Sequence, residues 1–226
     1  MNLERINEAA ELLTLARRSG IRLDGLPAHC RPVSLSEAYA VQARVAQLWG
    51  SRVVGWKIAA TSVAGQKHIG VDGPIAARLL SEHVIGSGPA ISIAANVMNV
   101  AEAEFAFRLS CDLPPRAMPY SADEVMEAVA ALHPAIEIPD SRYTDFARAG
   151  AAQLVADAGR STGRNVLGDP PVALTWLANE LCAHGQYLRA DDLVTTGACV
   201  APVTVVPGDA IHADFGVLGA VDVAFV

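Results

Sequence analysis

Two glutamates one residue apart, Glu102 and Glu104, sit inside the apolar run "VAEAEFAF" at 100–107. In a strand, alternation puts both on one face, beside Met98, Val100, Ala106 and Arg108. Val97, Ala101, Ala103, Phe105, Phe107 and Leu109 make the opposite face core-like. Two readings are open. A half-buried strand can carry both carboxylates in water. Alternatively, the acids face something cationic, because neighbouring like charges repel unless compensated, and Met98, Val100 and Ala106 leave that face less polar than a solvent face. A third acid, Glu137, lies between Ile136 and Ile138 in "PAIEIPDSRY" and points away from both. Three carboxylates on β-structure form an oxygen-ligand set that suits Mg²⁺ or Mn²⁺. Zinc is a poor match, since His29, His68, His83, His133, His184 and His212 are scattered without metal-ligand spacing.

Lys57 lies mid-strand in "VVGWKIAATS", with Gly55 and Ala59 on its face and Val54, Trp56 and Ile58 on the other. Small neighbours leave room over its ammonium, and apolar walls would lower its pKa towards a range useful for proton transfer. Snorkelling to the surface is the alternative. Thr61 and Ser62 could bond a substrate carboxylate or cap the following helix. Gly197 in "VTTGAC" lets backbone approach a substrate or makes a turn. Arg142 either orients Glu137 or forms a structural salt bridge; Asp140 and Asp157 read as structural. The string "GRSTG" at 159–163 fits Gly-x-Ser-x-Gly. A nucleophile elbow needs a helix immediately after it; the loop-like "RNVLGDPP" that follows argues against Ser161 as a hydrolase nucleophile.

The elements that must position these groups are legible in outline. Leu3, Ile6, Ala10, Leu13 and Ala16 recur at helical spacing. Ser34 and Glu37 have capping-box spacing, with Gly50 closing that second helix. Near residue 50 strands take over: "RVVGWKIA", then a loop or short helix at "TSVAGQKHIG", then the longest strand candidate at 97–109. The pattern predicts a helix over "SADEVMEAVAAL" at 121–132 and a short strand in "PAIEIPDSRY" ending near Pro139. Another helix is predicted over 169–185, capped by Asp169 with Pro170 at its first position. The C-terminal stretch alternates β-rich runs with glycine turns. Helices early and strands late indicate an α+β fold with a curved, mostly antiparallel sheet. It reads as a single domain over 1–226, helical over 1–50 and β-rich over 51–226.

A net charge of −7 with no basic cluster excludes a nucleic-acid surface. The chain is 52% hydrophobic, yet no apolar run is long enough to span a bilayer. Glu4, Glu8 and Glu11 near the N-terminus argue against signal and transit peptides. Cys30, Cys111, Cys182 and Cys199 are far apart, which suggests free thiols in a reducing cytoplasm.

Taken together, these motifs resemble the 2-keto-4-pentenoate hydratases and 4-oxalocrotonate decarboxylases of the fumarylacetoacetate hydrolase superfamily. The matching pieces run in the family's order from residue 34 on: "LSEAYAVQ", "GWKIAATS", "GVDGPIAARLL", "AEAEFAF", "PAIEIPDSRY", "LVADA", "NVLGDPPVALTWLANEL" and the tail from "VTTGACV" to "GAVDVAF". The resemblance implies a mixed β-barrel-like roll with an N-terminal helical part. It also implies that Glu102, Glu104 and Glu137 are the ligands of Mg²⁺ or Mn²⁺, and that Lys57 is the active-site lysine. The implied reaction is metal-dependent addition of water to a 2-hydroxy-2,4-dienoate, giving a 4-hydroxy-2-oxo acid, in meta-cleavage catabolism of aromatics by a cytoplasmic homo-oligomer. The alternatives are a decarboxylase or C–C hydrolase of the same superfamily, and a catalytically silent subunit or binding protein. Two departures from the family pattern stand out. Ile75 follows Pro74 where many family hydratases have Asp, and the stretch around 157–165 lacks a segment long enough for two strands.

Overall fold

Helix α1 (Leu3–Ser19) begins where the Asn2 side chain accepts the Arg5 N–H, and it stops at Gly20 in the left-handed region. Helix α2 (Leu35–Trp49) begins at Ser34, whose Oγ accepts the Glu37 N–H at 3.3 Å. The Glu37 carboxylate reaches back to the Val33 N–H at 2.9 Å, one residue before the position a capping box uses. Ala9, Ala10 and Leu13 of α1 and Ala38, Val41 and Val45 of α2 are buried in one cluster. Their small side chains let the two helices approach closely.

The computed structural model describes residues 1–86, 88–157 and 169–226. After α2 come β1 (Val53–Ala59), α3 (Val63–Ile69), β2 (Ile75–Leu80), β3 (Val100–Leu109), α4 (Ala122–Glu127) and β4 (Val129–Glu137). The chain continues through α5 (Phe146–Ala149), α6 (Ala151–Asp157), α7 (Pro170–Ala183), β5 (Leu193–Ala198), β6 (Val203–Thr204), β7 (Ala210–Asp214) and β8 (Ala220–Ala224). The main sheet has the order β2-β1-β5-β3-β4, with β6 pairing along β3. Every pairing is antiparallel except β1 with β5. Strands β7 and β8 form a separate two-stranded sheet.

One expected boundary is corrected. The helix read over 121–132 ends at Glu127, and Val129 already begins a strand. Ser121 and Glu124 do form a full capping box. The following "VAALHPAIE" instead pairs with β3 from Leu109 back to Glu102, so tertiary pairing overrides alanine's helix preference. Pro134 is tolerated there because β4 is an edge strand.

One face of the sheet packs into the main core. Trp56, Ile58, Phe107, Leu109 and Val194 join Leu174, Leu177 and Leu181 of α7 in a single buried cluster. The other face carries the acids.

Candidate metal centre

Strand register determines which side chains share that second face. Glu102 lies opposite Glu137, and Glu104 opposite Ala135. Lys57 lies opposite Thr195 on one side and Ala77 on the other, and Thr195 in turn lies opposite Ala106. Cross-strand partners point to the same side, so Lys57, Glu102, Glu104 and Glu137 all project from one face. Their neighbours Ala77, Ala106, Ala135 and Ala198 are all alanine, which leaves the face open enough for long polar side chains to converge.

They do converge. One carboxylate oxygen from each of Glu102, Glu104 and Glu137 lies within 4.8 Å of the others. Lys57 Nζ donates to Glu137 Oε1 at 2.7 Å. Glu102 and Glu104 are fully buried, Lys57 is 2% exposed, and the Glu137 side chain is 13% exposed. A β-bulge completes the arrangement. Glu104 faces Ala198 while Ala106 faces Thr195, so β5 carries one residue more than β3 across this stretch. Gly197 sits there with φ +94°, and its N–H donates to Glu104 Oε2 at 3.2 Å.

The electrostatics are unbalanced. Burial, then the charges of Glu137 and Glu102, push the Glu104 carboxyl well above the usual range. Burial lowers Lys57, opposed first by Glu137 and then by Glu104 and Glu102. Glu104 Oε1 is buried with no hydrogen-bond partner among the described residues, and the adjacent Thr195 hydroxyl makes no bond of good geometry. Three acidic side chains and one lysine share a water-poor space in which burial disfavours the charged forms of Glu104 and Lys57. An all-oxygen donor set with one orphaned buried oxygen fits a hard divalent cation.

A cavity of about 390 Å³ reaches this site, with Glu102 in its wall. His68, Ile69, Met98, Tyr143 and Phe146 also line it. The loop after β4 that supplies Tyr143 is held by two buried aspartates. Asp140 pairs with Arg142 and, at 3.2 Å, with Arg22. Asp157 accepts from Ser141 Oγ at 3.1 Å and from the Arg142 N–H at 2.8 Å.

The remaining sequence candidates occupy different places. Ser62 caps α3, accepting the Gly65 N–H at 3.0 Å. Thr61 is fully buried against Gly197, and neither Thr61 nor Ser62 lines the cavity. Gly197 directs its amide at Glu104. Arg142 pairs with Asp140, and Ser161 lies outside the described residues. Sequence reasoning missed Tyr143 and His68; only the contact between α3 and the loop after β4 brings them to one cavity. A second ligand-like group, Glu8, His29 and Cys30, consists of an exposed Glu8–His29 hydrogen bond over a buried thiol that donates to the Pro27 carbonyl.

Comparison with known proteins decides the family. The chain is 30% identical to 2-keto-4-pentenoate hydratase of Paraburkholderia xenovorans, with 100% of this chain and 96% of that protein aligned. It is also 30% identical to 2-keto-4-pentenoate hydratase 1 of Dechloromonas aromatica, over 96% of this chain and 95% of that one. The chain belongs to the 2-keto-4-pentenoate hydratase family. No model of a known protein family matches it.

Among solved structures, 4-oxalocrotonate decarboxylase from Pseudomonas putida G7, complexed with magnesium and adipate, superposes with a TM-score of 0.88. That match covers 100% of this chain and 99% of that one at 24% identity, and it establishes a shared fold. The chain's alignment with the Paraburkholderia protein runs over 263 positions, whereas the chain has 226 residues. The relative therefore carries positions with no counterpart here.

Proposed function

We propose that this protein is a divalent-metal-dependent hydro-lyase that adds water to a 2-hydroxy-2,4-dienoate to give a 4-hydroxy-2-oxo acid, within meta-cleavage breakdown of aromatic compounds. The observation that carries this reading is the convergence of Glu102, Glu104 and Glu137 within 4.8 Å. They would hold Mg²⁺ or Mn²⁺. Such an ion supplies Lewis acidity to the carboxylate and 2-oxygen of a 2-oxo acid.

The chain's own residues do the rest. Gly197 orients Glu104 through its amide. Lys57, held by Glu137 at 2.7 Å, has an ammonium whose charge is disfavoured by burial, which eases release and recovery of a proton as the dienol becomes the ketone. Thr61 supports Gly197 from below, while Ser62 sets the start of α3. Ile69, Met98 and Phe146 supply apolar wall to the cavity that would hold the substrate's hydrocarbon part.

The catalytic unit is a single domain over 1–226, with a helical part over 1–50 and a β-rich roll over 51–226 that curls around the site. Copies of the chain associate. The β7–β8 hairpin is too small to be stable by itself, and the exposed Val200, Val203, Val206 and Val217 supply apolar surface near it. Among the described residues no helix is long and apolar enough to cross a membrane, and a cytoplasmic site of action suits the four free thiols.

Decarboxylation of a 2-oxo acid is the second reading, favoured by 27% identity over 86% of this chain to a 4-oxalocrotonate decarboxylase of Pseudomonas putida. Ultraviolet decay of 2-hydroxypenta-2,4-dienoate with Mg²⁺ or Mn²⁺, followed by product identification, tests both. A 4-hydroxy-2-oxo acid is expected, with activity abolished by EDTA. Release of CO₂ from 4-oxalocrotonate without dienoate hydration would move the assignment to the decarboxylase. Metal binding without turnover of either substrate would make the chain a catalytically silent relative.

A further inference from the structure

The cavity beside the three glutamates is larger than the parent substrate of the proposed reaction requires. Its volume is about 390 Å³. Pockets of roughly 300–1,000 Å³ hold drug-sized ligands, and the five-carbon parent dienoate is much smaller than these. Strand geometry shows where the extra space lies. Val100 and Glu102 are alternate residues of β3, so both side chains project from the acidic face. Val100 pairs with Thr204 of β6, which stands on the same side. Both residues line the cavity together with Glu102. Two residues of a strand span about 7 Å, so the cavity runs from the acids past Val100 towards Met98.

The walls along this path are mostly hydrocarbon. Ile69 of α3 is buried, and Met98, Val100 and Phe146 are half-buried. The exposed His68 ring stands edge-on to Phe146, with centroids 5.7 Å apart. Among the described residues no lysine or arginine lines the cavity. A carboxylate placed beyond Val100 would lose water against these walls. A hydrocarbon chain placed there would bury apolar surface instead.

We propose that the substrate is a 2-hydroxy-2,4-dienoate whose C5 carries an uncharged hydrocarbon substituent larger than a methyl group, and that Val100 is the specificity-determining residue on which this substituent lies. The reacting head of that substrate rests on the hydratase reading. The tail rests on the shape and lining of the cavity.

The test uses saturated 2-oxo acids, which have no double bond to hydrate, so binding is read by titration calorimetry without turnover. With Mg²⁺ and the full chain, 2-oxopentanoate, 2-oxohexanoate and 2-oxooctanoate are compared with 2-oxooctanedioate, whose long chain ends in a second carboxylate. Each methylene buried against the walls is worth up to about fourfold in affinity. Affinity is expected to rise about tenfold or more from 2-oxopentanoate to 2-oxooctanoate, and to fall by about tenfold from 2-oxooctanoate to the dicarboxylate. Val100→Thr keeps the branched shape and exchanges a methyl for a hydroxyl. It should weaken 2-oxooctanoate about threefold or more and leave 2-oxopentanoate within about twofold. A gain that stops at 2-oxohexanoate, or an advantage of 2-oxooctanoate that Val100→Thr leaves untouched, would overturn the proposal. So would a dicarboxylate that binds as tightly as 2-oxooctanoate, which would assign the far end of the cavity to a second anion beside His68. The two readings fail separately. A wild-type chain that hydrates no dienoate of any length defeats the functional assignment, while the binding series still decides what the cavity accepts.

Discussion

Lys57 Nζ lies 2.7 Å from Glu137 Oε1, although the strands that carry them, β1 and β4, are separated in the sheet by β5 and β3. Three strand spacings amount to about 14 Å in a flat sheet, beyond the combined reach of the two side chains. The contact therefore requires a sheet strongly curved towards the acidic face. The alanines beside Lys57 and Glu104 permit that closure, and the bulge at Gly197 promotes it by adding twist where β5 passes β3.

Removing the ammonium should expose how much of the site's stability it provides. Lys57→Met leaves three buried or half-buried carboxylates with no cation, and such a loss costs on the order of 3–5 kcal/mol. Urea unfolding in EDTA is expected to show that loss, with partial recovery in saturating Mg²⁺. Hydration should fall by roughly 10²–10⁴-fold. A variant as stable as wild type in EDTA would mean that the carboxylates are already neutralised by protons.

Glu104 sets a pH dependence whose sign follows from its raised pKa. Without a divalent ion, the folded state holds this proton more tightly than the unfolded state. Stability is therefore highest below the ordinary carboxylate range and declines as pH rises through the raised pKa of Glu104. Unfolding in EDTA at a series of pH values should show the decline, and Glu104→Gln should flatten it.

The same substitution should abolish the stabilisation that a metal confers. At a metal concentration one hundred times Kd, wild type should gain about 2.7 kcal/mol. Glu104→Gln should gain almost none. Differential scanning calorimetry with and without Mg²⁺ reads both effects.

Two glycines should respond differently to alanine. A Cβ at Gly55 would lie 1.9 Å from the Leu193 carbonyl oxygen, a backbone atom that cannot step aside without breaking the β1–β5 pairing. Gly55→Ala is expected to cost on the order of 4 kcal/mol or to prevent folding. A Cβ at Gly197 would meet Thr61 Oγ1 at 2.5 Å, with φ at +94°, for a cost of about 1–3 kcal/mol. It should also weaken metal affinity by disturbing the amide that holds Glu104. Expression, denaturant unfolding and metal titration separate the two cases.

Leu177 is fully buried in α7 beneath the opposite face of the sheet. Leu177→Ala should cost about 2–5 kcal/mol while leaving metal affinity intact below the unfolding transition. Calorimetry paired with metal titration checks that the core and the site are separable.

Much of this was legible in the linear chain because it depends on local rules. Strand alternation alone placed Glu102 and Glu104 on one face, and cap residues marked the starts of α2 and α7 within a residue. The motifs of the β-rich part identified the family and, with it, the expected ligand set. The end of α4 was not legible, since the local preference of "EAVAAL" is helical and only pairing with β3 makes it a strand. Nor could the sequence show that the Gly197 amide donates to Glu104, or that Tyr143 and His68 share a cavity with Glu102. Those facts depend on register between distant strands, on one extra residue in β5 and on the curvature of the whole sheet. Periodicity relates a side chain to its own backbone; it carries no information about which strand lies three spacings away, or how far the sheet bends to meet it.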